Sequence, residues 1–277
     1  MCFNASYDTI YIIQAAKFSI ERKNLMLDRM QLKREAKEIV RSARVSAYLF
    51  TLLYLALTAV LETANTYVNG VVPAYMELNF PDLPVPEFLA RVAELPGMLV
   101  LFISVLTWML SVVLLTGHAL YHLGVRRGEE MEYSSLFDGF AFVGKAILLQ
   151  LIMRMIITAL TFAFIIPGII ATYRYRFALY NLCENPEISV MEALGLSSRQ
   201  TYGHKMDLFV LDMTFLGWSL VGVLTLGIGN IWITPYIVQT NIGYFQQIKQ
   251  MKGLGWFPPR DDTQDDGFHT QDPFGGM

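Results

Sequence analysis

Charge is scarce in this chain. Lys, Arg, Asp and Glu make up 16% of its 277 residues, against roughly 25% in soluble domains. Cysteine is scarcer still: only Cys2 and Cys183 occur. They give no metal-ligand spacing and indicate no disulfide framework. No Ser-His-Asp order, P-loop, Rossmann glycine run or pair of catalytic carboxylates in a polar pocket can be read. The N-terminal stretch lacks the basic, apolar and small-residue order of a cleavable signal peptide. The net charge of −3 is uninformative because the charges are segregated, and the basic residues lie beside apolar runs rather than forming a nucleic-acid footprint.

What is present is apolar. The hydrophobic fraction is 54% and the mean hydropathy +0.40, with several long uncharged runs. That combination predicts an integral membrane protein. Charges are segregated: nine of the 21 basic residues precede Val45. Residues 1–25 read as an extension, or as an over-called start with Met26 or Met30 as alternatives. Residues 26–44, MLDRMQLKREAKEIVRSAR, place Leu32, Ala36, Ile39, Val40 and Ala43 at helical spacing among Lys and Arg. They predict an interfacial amphipathic helix on the cytoplasmic leaflet.

Six spans are expected, at about 45–64, 97–121, 140–163, 167–183, 208–226 and 231–248. The fold class is an all-α polytopic bundle. The proline-rich stretch from Asn65 to Pro96 carries four acidic residues against Arg91 and is placed outside. Residues 140–182 could form one long span or a hairpin turning near Phe164 to Gly168. The hairpin is preferred because it returns Arg199 and Lys205 to the cytoplasm. Ser189-Val-Met-Glu192 fits a capping box that opens a second amphipathic helix before the fifth span. Residues 251–277 read as a disordered acidic tail. Both termini fall on the cytoplasmic side.

Charges within spans are the strongest functional pointers. Arg154, Arg174, Arg176 and Asp212 stand out. Antiparallel neighbours would bring Asp212 to the depth of Arg176, so a buried ion pair is one reading. An anion or lipid-headgroup site is the other, since arginine forks match phosphate oxygens. Arg174 and Arg176, two residues apart, point to different helix faces. His118 and His122 stand at i, i+4, a spacing that can hold a metal, with Glu129, Glu130 and Glu132 following. Two histidines alone are a weak signal, so no metal and no cofactor is expected.

The segments LFDGF (136–140), PGIIATYRYRFALY (167–180), NPEISVMEALGLSSRQTYGHK (185–205), LFVLDMTFLGW (208–218) and TLGIGNIWITPY (225–236) resemble the bacterial integral membrane family called domain of unknown function 975. LKREAKEIV (32–40) looks like the usual start of that family. The resemblance implies a bacterial plasma-membrane protein without an established activity. It also implies kinship with the membrane domain found beside glycerophosphodiester phosphodiesterases. The leading expectation is a non-enzymatic protein that engages membrane lipid, including anionic phospholipid, or a partner membrane complex. A small transporter or accessory transport subunit is the alternative, and a lipid-headgroup enzyme the third.

Overall fold

The computed structural model describes residues 30–70, 78 and 95–257, and these contain helices and no strand. The expected extension, most of the proline-rich stretch and most of the acidic tail lie outside the described residues. Helix α1 covers residues 30–42. It is followed by α2 (Ala47–Val68), α3 (Gly97–Arg127), a 3-10 helix (Tyr133–Phe142) and α4 (Val143–Ala163). Then come α5 (Ile165–Arg174), α6 (Ala178–Glu184), α7 (Val190–Thr201), α8 (Lys205–Met213), α9 (Leu216–Leu224) and α10 (Asn230–Lys252).

Among the described residues, three stretches are long and apolar enough to cross a membrane: Ala47–Val68, Gly97–Arg127 and Tyr133–Ala163. The α8–α9 pair would make a fourth, but it bends by 41° at its break. The expected fourth span is also broken, at Tyr175 to Phe177. Its second half, α6, is packed inside the protein: Ala178, Leu182 and Cys183 are buried. The second apolar helix runs to Arg127 rather than ending at Tyr121. Gly128, at φ 80°, stops it in the left-handed conformation that glycine adopts without a Cβ penalty.

Helices α2 and α3 are antiparallel neighbours. The rings of Phe50 and Tyr121 stack at 3.6 Å near one end. Near the other end, Asn69 Nδ2 donates to Ser104 Oγ at 3.1 Å. The 3-10 helix crosses α3 at two glycines. Gly117 lies against the Leu136 backbone, and a Cβ on Gly139 would stand 2.6 Å from the Val113 carbonyl oxygen. No larger residue fits this crossing without moving backbone.

The main core gathers apolar side chains of α3, α6, α7 and α10, among them Leu123, Phe177, Leu182, Leu194, Phe245 and Ile248. Many large apolar side chains are exposed outside this core. Phe162 at the α4–α5 turn and Leu226 at the α9–α10 turn are 95% and 94% exposed. Met98, Leu101 and Phe102 continue this surface on α3. An apolar area of that extent marks contact with lipid or with another protein.

Candidate functional site: paired helix breaks joined by charge

The break between α5 and α6 contains neither glycine nor proline. Its unpaired backbone groups are satisfied by α7 instead. Ser197 Oγ donates to the Arg174 carbonyl at 2.9 Å and accepts the Phe177 N–H at 3.1 Å. Thr201 Oγ1 donates to the same Arg174 carbonyl at 3.1 Å. One hydroxyl thus replaces two of the bonds that a continuous helix would have made. Helix α7 is itself opened by Ser189, whose Oγ accepts the Glu192 N–H at 3.2 Å.

Arg176 lies within this break, and Asp212 lies one residue before the end of α8. They meet in a two-pronged contact: Nη1 donates to Oδ2 at 2.6 Å and Nη2 to Oδ1 at 2.7 Å. Arg176 Nη2 also donates to Asn241 Oδ1 on α10 at 3.0 Å. Tyr173 OH donates to Asp212 Oδ2 at 3.0 Å. Helices α5, α8 and α10 are therefore tied at one point, beside both breaks. The side chains of Arg176 and Asp212 are 20% and 30% exposed, so water or a headgroup reaches the rim. The guanidinium fork is filled by the carboxylate, which leaves it no bidentate face for an external anion.

The other sequence candidates stand apart. Arg174 points away from Arg176: its Nε donates to Ser198 Oγ at 2.8 Å, and its guanidinium lies over the Tyr175 ring. Arg154 lies over the Trp108 ring at 5.9 Å. Both arginines are exposed.

His118 and His122 are buried with ring centroids 4.6 Å apart, and His118 stacks on Tyr54 at 4.2 Å. Gln239 Nε2 donates to the His122 carbonyl at 2.8 Å and lies 3.1 Å from His122 Nδ1. With one N–H of that amide on the carbonyl, the other is placed to donate to Nδ1. Among the described residues no group of three or more His, Cys, Asp or Glu could hold a metal. The glutamates that follow are engaged elsewhere: Glu130 pairs with Arg44 and Glu129 with Arg127.

Two further charge clusters were not legible in the sequence. Glu184, at the end of α6, accepts both prongs of Lys249 Nζ at 2.9 and 2.7 Å, and Arg127 Nη2 lies 3.5 Å from it. The Glu184 and Lys249 side chains are 2% and 7% exposed. Lys249 Nζ also donates to the Trp256 carbonyl at 3.0 Å, fastening the segment after α10. In the second cluster, Arg126 Nε donates to Gln246 Oε1 at 2.9 Å, and Arg126 Nη2 to Glu35 Oε2 at 3.3 Å. That contact docks α1 on α3 and α10. The only hints in sequence were single charges bordering apolar runs, a pattern that interfacial residues share.

His204, outside the apolar helices, lies between Asp207 at 3.4 Å and Lys252. Burial, reinforced by the Lys252 charge, holds its pKa below the ordinary 6.5 despite the Asp207 carboxylate.

A family model described as "Protein of unknown function (DUF975)" matches residues 155–252. No curated protein and no solved structure matches the chain. The matched stretch contains both helix breaks, Arg176, Asp212 and Asn241, and also Glu184 and Lys249.

Proposed function

We propose that this chain, whose residues 155–252 match the model of the DUF975 family, a family whose description assigns no activity, is a non-enzymatic integral membrane protein that engages lipid or a partner membrane complex. One observation carries this reading. Fully exposed apolar side chains such as Phe162 and Leu226 continue the surface of helices long enough to cross a bilayer, and a basic amphipathic helix is docked beside them. In water that surface would drive association; in a bilayer it is the expected lipid face. Basic residues Arg126, Arg127, Arg199 and Lys205 mark the cytoplasmic side. The reading takes that membrane to be a bacterial plasma membrane, with both termini cytoplasmic.

Arg154 and Arg174 are exposed guanidinium groups within the apolar helices that can meet phospholipid phosphates, while Arg176 is a structural clamp. Extraction into native polymer nanodiscs, followed by mass spectrometry of retained lipids and proteins, tests the reading. Enrichment of anionic lipid, lost in Arg154→Leu/Arg174→Leu, supports headgroup engagement. Recovery of the protein with no lipid preference and no partner protein would overturn it.

A second reading has an observation of its own. Two broken helices meet at charged residues, the arrangement that lines ion or substrate sites in secondary transporters. It predicts solute flux in proteoliposomes that disappears in Asp212→Asn. Equal flux in that variant and the parent removes the breaks from any transport path.

A further inference from the structure

Helix α1 does more than lie beside the bundle. Its Lys33 Nζ donates to Thr214 Oγ1 at 2.7 Å and stands over the Phe215 ring at 4.5 Å, at the α8–α9 break. Leu32 packs where Gly243 leaves room on α10. These contacts, with Glu35 on Arg126, fix one half of α1. One turn further on, beside Val40, which stays buried against α2 and α3, a cleft of about 250 Å³ opens. Its walls are Val40 of α1, Tyr48 of α2, Trp218 of α9, and Trp232 and Tyr236 of α10, with Lys37 at the rim. Phe215 meets Tyr236 edge-on at 5.5 Å and fixes the orientation of the Tyr236 ring.

The chemistry of this cleft is one-sided. Five of the residues just named are aromatic or aliphatic, and the charged one is a cation. Lys37 is exposed, and Arg34 and Arg41 on the same helix extend the positive face. Trp218 and Trp232 are more than half exposed, so the cleft opens onto the apolar surface rather than into an enclosed chamber. Aromatic walls suit methylene chains, and an ammonium at the rim suits a phosphodiester. A soluble anion would leave the walls unfilled, and a neutral hydrocarbon would leave the lysine unused.

We propose that this cleft holds one anionic glycerophospholipid, with a stretch of acyl chain between Trp218, Trp232, Tyr48 and Tyr236 and the phosphate on Lys37. The proposal rests on the membrane reading above and adds to it a lipid site on α1, separate from Arg154 and Arg174. It also gives α1 a function: the helix completes the site as one of its walls.

The test uses the full chain in phosphatidylcholine nanodiscs, carrying Trp108→Phe and Trp256→Phe so that Trp218 and Trp232 report alone. Phosphatidylglycerol with brominated acyl chains is titrated in, and tryptophan quenching is followed. A site predicts quenching that saturates at a low mole fraction. Lys37→Gln should shift the titration about five-fold, the effect of one lysine near an anionic headgroup at ~1 kcal/mol, and Lys37→Arg should restore it. Quenching that rises linearly with mole fraction, equals that of brominated phosphatidylcholine and ignores Lys37→Gln would overturn the proposal: the lipids there would be ordinary annular ones. A chain that does not remain with the nanodiscs at all would instead sink the membrane reading on which the site depends.

Discussion

Replacing Asp212 and Arg176 together should destabilise the protein by less than the sum of the two single replacements. The carboxylate accepts two guanidinium bonds, at 2.6 and 2.7 Å, and one from Tyr173 at 3.0 Å. A hydrogen bond to a charged group contributes roughly 1.5–3 kcal/mol. Exposure of 20% for Arg176 and 30% for Asp212 leaves part of that strength to water. Asp212→Leu is therefore expected to cost about 2–3 kcal/mol, because it strands a guanidinium whose remaining protein acceptor among these groups is Asn241. Arg176→Leu strands the carboxylate and should cost a similar amount. The double variant removes both charges at once, and its loss should fall short of the sum by about 1 kcal/mol or more. Reversible unfolding in mixed micelles, followed by circular dichroism, measures all four corners of the cycle. Additivity within about 0.5 kcal/mol would refute the clamp and leave the two side chains as independent neighbours.

The Glu184–Lys249 pair is more deeply buried, so Glu184→Gln should cost about 3–5 kcal/mol and loosen the segment through Trp256, read as new protease cleavage after Lys252. Gly117→Ala would drive a Cβ into the Leu136 backbone, with Leu136 Cα at 2.9 Å. It should cost about 3 kcal/mol in the same unfolding assay, the upper part of the overpacking range, whereas Gly144→Ala, with open space at its Cβ, should be neutral or mildly stabilising; equal effects would discount the tight crossing. His204 favours its neutral form in the folded state, so the unfolded chain binds the proton more readily. Its contribution is present above pH 6.5 and is lost as pH falls below that value. His204→Gln should flatten the decline in stability just below pH 6.5, and an unchanged slope would assign that decline to other groups.

Much of the helix inventory follows from local pattern. Long apolar runs predict α2, α3 and α4 because their length and composition need no distant partner. Ser189 predicts the start of α7 because capping is a contact between residues three apart. The expected depth match between Arg176 and Asp212 also came from counting residues along antiparallel helices. Which other groups join them did not. Neither Asn241, twenty-nine residues after Asp212, nor Tyr173 carries a local signal for that contact.

The break at Tyr175 to Phe177 had no local cause, since no glycine or proline marks it. Sequence determined that these residues are apolar and helical by preference. Tertiary structure decided that the helix stops there, because Ser197 and Thr201 arrive from α7 to satisfy the backbone groups that the break exposes. The same holds for Glu184 and Lys249, charges at the ends of apolar runs whose burial depends on α6 meeting α10. A hydrogen bond between neighbours can be read from spacing. One between residues sixty-five apart exists only once the helices between them have packed.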